Sequence, residues 1–392
     1  MNLEVLNIEV QQFINDNLNS DITKLLFKGS PFDSISVQEL AEQIVSKKKC
    51  EKKLPNWFKT KNILYPPKVN IEQTSSEVTA EYKSSIISGN SIIDLTGGFG
   101  VDCYYFSKKF KNVTHCELNT KLSTTVNNNY QQLKIDNIRT FSGDGIEHLL
   151  SSDKKYDWIY LDPSRRDSVN RKVFLLKDCL PNIPENLDKL FERSNNILIK
   201  NSPILDISKT IDELQFVKEI HVVSVNNEVK ELLFILEKGY ENQIAIKTIN
   251  FTKNKNQLFD FQLNTTKSSN YSDPKKYLFE PNSAVLKSGG FHEISNQLKI
   301  EKLHQHSHLY TSNELIDFPG RRFILENICN YNKKEILQFL KDKKGNITTR
   351  NFPDTVVQIR KKTKIKDGGS KYLFFTTVNN NKLKVLICSQ VF

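Results

Sequence analysis

SIIDLTGGFGVD, Ser91–Asp102, is the stretch on which the fold of this chain turns. Its apolar first half, Ser91–Leu95, predicts a short buried strand ending in a carboxylate, Asp94. Gly97, Gly98 and Gly100 then allow a tight turn and a close backbone approach to a ligand, and a helix over Val101–Phe110 would add its free N–H groups. The dinucleotide fingerprint GxGxxG is absent, because Val101-Asp102-Cys103 follows Gly100. On its own the glycine run is shared by many tight turns. The flanking sequence gives it meaning.

Downstream, short apolar runs alternate with helix-like stretches. Strands are predicted at Asn112–Glu117, Ile138–Ser142, Tyr156–Leu161 and Asn196–Lys200, with a helix over Lys121–Leu133 between two of them. Such alternation implies right-handed crossovers and a parallel sheet. Glu117, Asp144 and Asp162 end the second, third and fourth strands as Asp94 ends the first, which places four acids along one sheet edge. In an open α/β sheet that edge binds ligands. Glu117 stands where an acid can accept both ribose hydroxyls of a nucleoside, whereas a helix cap would account for Asp144 alone. The fourth strand runs into YLDPSRRD, Tyr160–Asp167, whose carboxylate, proline and paired arginines suit a ligand-facing edge better than a core.

This set resembles the class I S-adenosylmethionine-dependent methyltransferases over roughly Gln73–Leu236. DLTGGFGVD together with YLDPSRR is similar, more narrowly, to a group of bacterial methyltransferases carrying a C-terminal THUMP-like domain. The resemblance implies S-adenosylmethionine as cofactor, held by Asp94, Thr96, Gly97, Gly98 and Gly100, with Glu117 and Leu118 at the ribose and Asp144 and Gly145 at the adenine. Thr96 departs from the glycine common at that position. Asp162 and Pro163 would lie beside the methyl group, with Asp162 orienting the nucleophile or taking its proton. Asn201 and Ser202, ending the fifth strand, would line the acceptor pocket. Methyltransferases of exocyclic amines commonly carry Pro and an aromatic residue where this chain has Ser164 and Arg165, which leaves the acceptor atom open.

Arg165 and Arg166 can grip a substrate phosphate through their planar forks, or brace the loop on Asp162 or Asp167. Thr74-Ser75-Ser76-Glu77 fits a capping box before the glycine turn, and Gln73, Thr74 and Ser75 are placed to reach the cofactor's amino-acid end. Asp102 is placed to cover the same site, although an acid in the first turn of a helix is the simpler account.

The expected fold class is α/β: a Rossmann-like class I methyltransferase sheet with an N-terminal helical region and small α+β C-terminal domains. The domain reading is 1–85 helical, 86–240 methyltransferase, 241–276 connecting, 277–318 ferredoxin-like and 319–392 THUMP-like, the last two by resemblance. The helix over Ser34–Ser46 should give way to a lysine-rich link, Lys47–Lys53, and then to extended sequence at Leu54-Pro55-Asn56-Trp57. Ile220–Val225 and Glu231–Leu236 suit a hairpin on the sheet edge, and polar Asn250–Ser272 reads as an irregular excursion. Strands are expected at Tyr372–Val378 and Leu383–Val391.

Charge adds a second line. From Pro319 onward sixteen lysines and arginines face five acids, which matches the whole +11 net charge of the 392 residues. Such concentration suits a polyanion partner, and THUMP domains proper bind RNA, so RNA, either rRNA or tRNA, is the expected substrate. Lys361, Lys362, Lys364 and Lys366 are the candidate phosphate contacts. No apolar segment is long enough to span a bilayer and the N-terminus lacks a basic, then apolar, leader, so the chain reads as soluble and cytoplasmic. Six scattered cysteines without a CxxC pair argue against disulfides and zinc. His304, His306 and His308 would share one face of a strand, but a closed metal site needs a fourth ligand that no nearby cysteine supplies. An exposed strand or loop is expected there, with no metal. Phe58, Tyr65, Phe352 and Phe374 are expected in cores. Nothing in the sequence sets an oligomeric state.

Two other readings stay open: a methyltransferase of a small molecule or protein, and a non-catalytic RNA-binding protein on a degenerate methyltransferase fold. Intact Asp94, Glu117 and Asp162 argue against the second.

Overall fold

The computed structural model describes residues 2–165, 175–265, 268–340 and 342–391. The chain forms two compact units, Met1–Val217 with Leu233–Glu241, and Lys218–Leu232 with Asn242–Phe392.

Helices open the first unit: α1 (Ile8–Asp16), α2 (Ile22–Lys28), α3 (Val37–Lys53), α4 (Pro55–Lys59), α5 (Lys68–Gln73) and α6 (Glu77–Ser85). A capping box of Ser36 and Glu39 starts α3. The helix runs on through Lys47–Lys53, where the sequence suggested a link, because Lys47 and Cys50 continue the buried face of Leu40 and Ile44. Burial pushes the Lys47 amine below its ordinary pKa. Pro55 takes the first position of α4, where its fixed φ suits a helix start, so this segment is not extended. Ser76, not Thr74, caps α6. The Glu77 carboxylate accepts from Asn56 N–H and the Tyr105 hydroxyl instead of returning to the cap.

The sheet follows as β1 (Ser91–Asp94), α7 (Val101–Ser107), β2 (Asn112–Glu117), α8 (Thr120–Gln132), β3 (Ile138–Ser142), α9 (Gly145–Leu150) and β4 (Trp158–Leu161). A two-residue ladder joins β5 (Ser164–Arg165) to β6 (Cys179–Leu180), and α10 (Ile183–Arg193), β7 (Asn196–Asn201) and α11 (Ile207–Asp212) come next. β1 lies between β2 and β4, with β3 outside β2 and β7 outside β4, all parallel. Ile92, Ile93, Ile159 and Ile197–Ile199 are fully buried, as expected for strands covered on both faces.

β8 (Val217–Val225) and β9 (Glu228–Glu237) form the expected hairpin, and the second unit takes it from Lys218 to Leu232. Asn226 and Asn227 sit at φ 50° and 64°, the left-handed pair that a two-residue turn needs. The hairpin is not an edge: β10 (Ala245–Phe251) runs parallel to β8, and β11 (Gln257–Gln262) antiparallel to β10. The supposed excursion at 250–272 therefore contains a strand. Buried Phe259 and Phe261 alternate with outward Asp260 and Gln262, whose polarity diluted the apolar signal.

The remaining elements are β12 (Tyr277–Pro281), α12 (Ser283–Ser288), α13 (Phe291–Gln297), β13 (Glu301–Lys302), β14 (Tyr310–Ser312), β15 (Gly320–Cys329), α14 (Lys333–Gln338), β16 (Asn346–Arg350), α15 (Val356–Thr363), β17 (Lys371–Val378) and β18 (Lys382–Val391). They build one sheet in the order β13-β14-β12-β15-β18-β17-β16. One face packs Leu373, Phe375, Val385 and Ile387 against Ile336 and Ile359 of α14 and α15, and the other packs Leu278, Phe323, Phe374 and Leu386. Strands from both sides of residue 318 pair in this sheet, β12 with β15. Among the described residues no helix is long and apolar enough to cross a membrane.

Candidate active site

Asp94 ends β1 fully buried. Its Oδ1 accepts from the Thr96 N–H at 2.9 Å and hydroxyl at 3.2 Å, and its Oδ2 from the Cys103 thiol at 3.3 Å. Burial raises its pKa to about 7 against the Thr96 N–H, with Asp102 adding repulsion. The turn beyond it is sterically locked. A Cβ at Gly97 would lie 2.2 Å from the His115 ring, and one at Gly100, already at φ 77°, would lie 2.2 Å from the Tyr130 hydroxyl. Gly145 at the start of α9 presses as closely on the Leu95 carbonyl. Gly98 differs: its N–H donates to Glu117 Oε2 at 2.9 Å, and its outer side is open.

Glu117 also accepts the Asn119 N–H at 2.7 Å, so both its oxygens are held in place at the end of β2. Neighbouring Leu118 is exposed. Asp144 is exposed and caps α9 by accepting from Ile146 and Glu147 N–H groups, the plain capping role its position allowed. Thr96 links the turn to β4, because its hydroxyl accepts the Asp162 N–H at 2.7 Å.

Beneath the same edge lies an ionic network that sequence reasoning missed. The β4–β7 register, Leu161 opposite Ile199, continues to Asp162 and Lys200, which form an ion pair. Burial raises the Asp162 pKa, opposed by Lys200. On α7, Asp102 pairs with fully buried Lys83 of α6 at 3.2 Å and accepts from the Ser75 and Tyr160 hydroxyls at 2.9 and 2.8 Å. Burial works to raise the Asp102 pKa, but Lys83 and then Lys200 hold it below its ordinary value. Ser75 thus holds Asp102 within this network. Lys200 was legible in principle as a cation closing an apolar strand beside β4, whereas no local spacing announces Lys83.

Asn201, the residue after Lys200, is buried, and neither side-chain amide atom has a hydrogen-bond partner. A buried amide without partners is costly unless a ligand completes it. Ser202 is half-buried, and its carbonyl accepts from Leu205 N–H. Pro163 is half-buried beside Asp162. Arg166 and the Arg165 side chain lie outside the described residues.

In the second unit, Lys361, Lys364 and Lys366 are exposed around the end of α15, while Lys362 already pairs with Asp354 at 2.6 Å. His304 sits in a turn, not a strand. Its Nε2 meets Asn381 and its Nδ1 meets Asn351, and the described residues contain no group of three potential metal ligands. Tyr65 and Phe374 are buried, and Phe58 and Phe352 half-buried.

The crystal structure of a "putative methyltransferase" from Porphyromonas gingivalis W83 matches this chain at a TM-score of 0.89 and 30% identity, over 99% of this chain and 98% of that one. The chain belongs to that family, class I methyltransferases with a C-terminal THUMP-like domain. Family models agree: one described as conserved hypothetical protein 95 matches residues 43–222, a ferredoxin-like domain 277–319, and a THUMP-like domain 320–390. An rRNA methylase from Streptococcus thermophilus matches 42% of the chain and 98% of its own at 16% identity and a TM-score of 0.31. A "putative RNA methyltransferase" from Pyrococcus horikoshii matches 48% and 98% at 17% and 0.34. No curated protein sequence matches the chain.

Proposed function

We propose that this family member transfers a methyl group from S-adenosylmethionine to RNA, gripping the RNA with its basic C-terminal domain. The carboxyl edge of the first unit's sheet carries the reading. There an open Gly98 backbone and a Glu117 with both oxygens fixed stand at one strand end, and a buried, unpartnered Asn201 at another. These residues fit the cofactor: Glu117 would take the ribose hydroxyls, the turn at Gly97–Gly100 its amino-acid end, and exposed Leu118 an apolar face beside the sugar. When bound, the cofactor supplies an electrophilic sulfonium methyl group.

The protein's own part is alignment and exclusion of water. Asp162, held by Lys200 and by the Thr96 hydroxyl, presents a carboxylate that is 30% exposed at the strand end, where it orients the acceptor or takes its proton. Asn201 supplies one donor and one acceptor to the same edge. For the RNA, the second unit offers exposed Lys361, Lys364 and Lys366 in a segment that carries the chain's net charge.

Calorimetry with S-adenosylhomocysteine tests the cofactor half of the reading. Saturable binding that weakens in Glu117→Ala supports it. No binding to folded protein would leave an RNA-binding protein on a degenerate fold.

A further inference from the structure

The C-terminal sheet holds a charge cluster that the proposal above leaves unused. Glu280, 3% exposed at the side chain, lies one residue before the end of β12 and accepts from two arginines. Arg321 of β15 donates through Nε, at 2.7 Å, and through a terminal nitrogen to Oε2, and Arg350 of β16 donates at 2.8 Å to Oε1. Arg321 lies directly across from Glu280 in the β12–β15 register, and Gly320 permits the approach, since a Cβ there would lie 2.1 Å from the Glu280 carbonyl. Arg350 comes from the edge strand four places away in the sheet order, so the sheet coils far enough to bring it back.

One carboxylate against two guanidinium groups leaves a surplus positive charge. Each guanidinium carries five N–H donors. Glu280 occupies two of Arg321's nitrogens and one of Arg350's, and among the described residues no other hydrogen bond takes the rest. Arg350 Nε is buried without a partner, yet the two side chains are 37% and 33% exposed and so open to a ligand. Arg321 is also held over the rings of Phe323 and Tyr372, 5.5 and 5.8 Å from their centroids. The cluster shares its face with Phe323, opposite the face that α15 covers, so the α15 lysines do not account for it.

We propose that Arg321 and Arg350, aligned by Glu280, form a phosphate-binding fork for the RNA backbone. The planar geometry suits phosphate oxygens, and the surrounding net charge favours a polyanion over an isolated carboxylate. The fork rests on the RNA reading above and extends it to a second face of the domain.

The test measures binding of a short, labelled single-stranded RNA by anisotropy across a salt series, for the full-length protein, Arg321→Gln and Arg350→Gln. Each variant leaves Glu280 paired with the other arginine. Affinity should fall roughly tenfold or more for a lost charge-assisted contact. The slope of log Kobs against log salt should shrink by about 0.7 per phosphate released. A brace alone would lower the melting temperature and leave that slope unchanged. Folded variants with wild-type affinity and slope overturn the fork while the RNA reading stands. A wild-type protein that binds no RNA overturns both. Should either glutamine variant fail to fold, the double variant Arg321→Lys, Arg350→Lys keeps the charges and loses the forks. Weaker binding at an unchanged slope then supports the proposal, and wild-type affinity overturns it.

Discussion

Lys200, near the end of β7, is ion-paired with Asp162, the first residue past β4, where adjacent parallel strands bring their carboxyl ends together. Removing one member of a buried pair costs more than the pair contributes, because the other charge is left without compensation. Lys200→Met should therefore destabilise by about 2–3 kcal/mol, below the roughly 3–5 of a fully buried pair because Asp162 is 30% exposed. The loss should be larger near about pH 8 than near about pH 5, since an unpaired Asp162 escapes by protonating. Urea unfolding at both pH values checks this, and adding Asp162→Asn should restore most of the loss.

Asp94, like Asp162, is pushed by burial above the ordinary carboxylate range. Its folded pKa, about 7, stands above the ordinary 3.8, so the native state holds a proton that the unfolded state releases. Its contribution is fully present below about pH 4 and is lost as pH rises through about 7. Asp94→Asn should thus gain stability, relative to wild type, at about pH 8 compared with about pH 5. Denaturation midpoints showing the same difference at both pH values would refute the assignment.

Gly97 has no room for a methyl group beside His115, whose burial depresses its pKa to about 4 and keeps it neutral. Gly97→Ala should cost about 1–3 kcal/mol through overpacking, and His115→Ala in the same chain should relieve part of it. Thermal unfolding of the two single variants and the double variant gives the coupling directly.

At the tail, Lys361→Gln and Lys364→Gln should weaken RNA binding without regard to sequence, each flattening the salt dependence by about 0.7. Lys362→Gln should do less, because that amine already pairs with Asp354. Anisotropy titrations against RNAs of unrelated sequence separate the two behaviours.

Much of the first unit could be read from residues alone. Strands β1 to β4 and β7 are short, apolar and punctuated by acids and glycines, so their ends fall within a few residues of expectation. Reading failed where polarity masked period, as in β11 with its alternating Phe259 and Phe261, and where burial of a lysine prolonged a helix, as at Lys47 in α3. The ionic network escaped for another reason. Lys83 and Asp102 lie nineteen positions apart on separate helices, and the coiled return of Arg350 to Glu280 spans seventy, so only tertiary packing creates those pairs. The acids at the strand ends announced themselves. Their partners did not.

Methyl transfer to RNA leaves a direct chemical record in the nucleosides. Purified protein is incubated with methyl-labelled S-adenosylmethionine and RNA from a strain lacking this gene, and the digested nucleosides are resolved by mass spectrometry. Label is expected in one methylated nucleoside, absent with Asp162→Ala and absent when the RNA comes from the parent strain, where the site is already modified. Protein that binds the cofactor yet places no label in RNA would contradict that transfer.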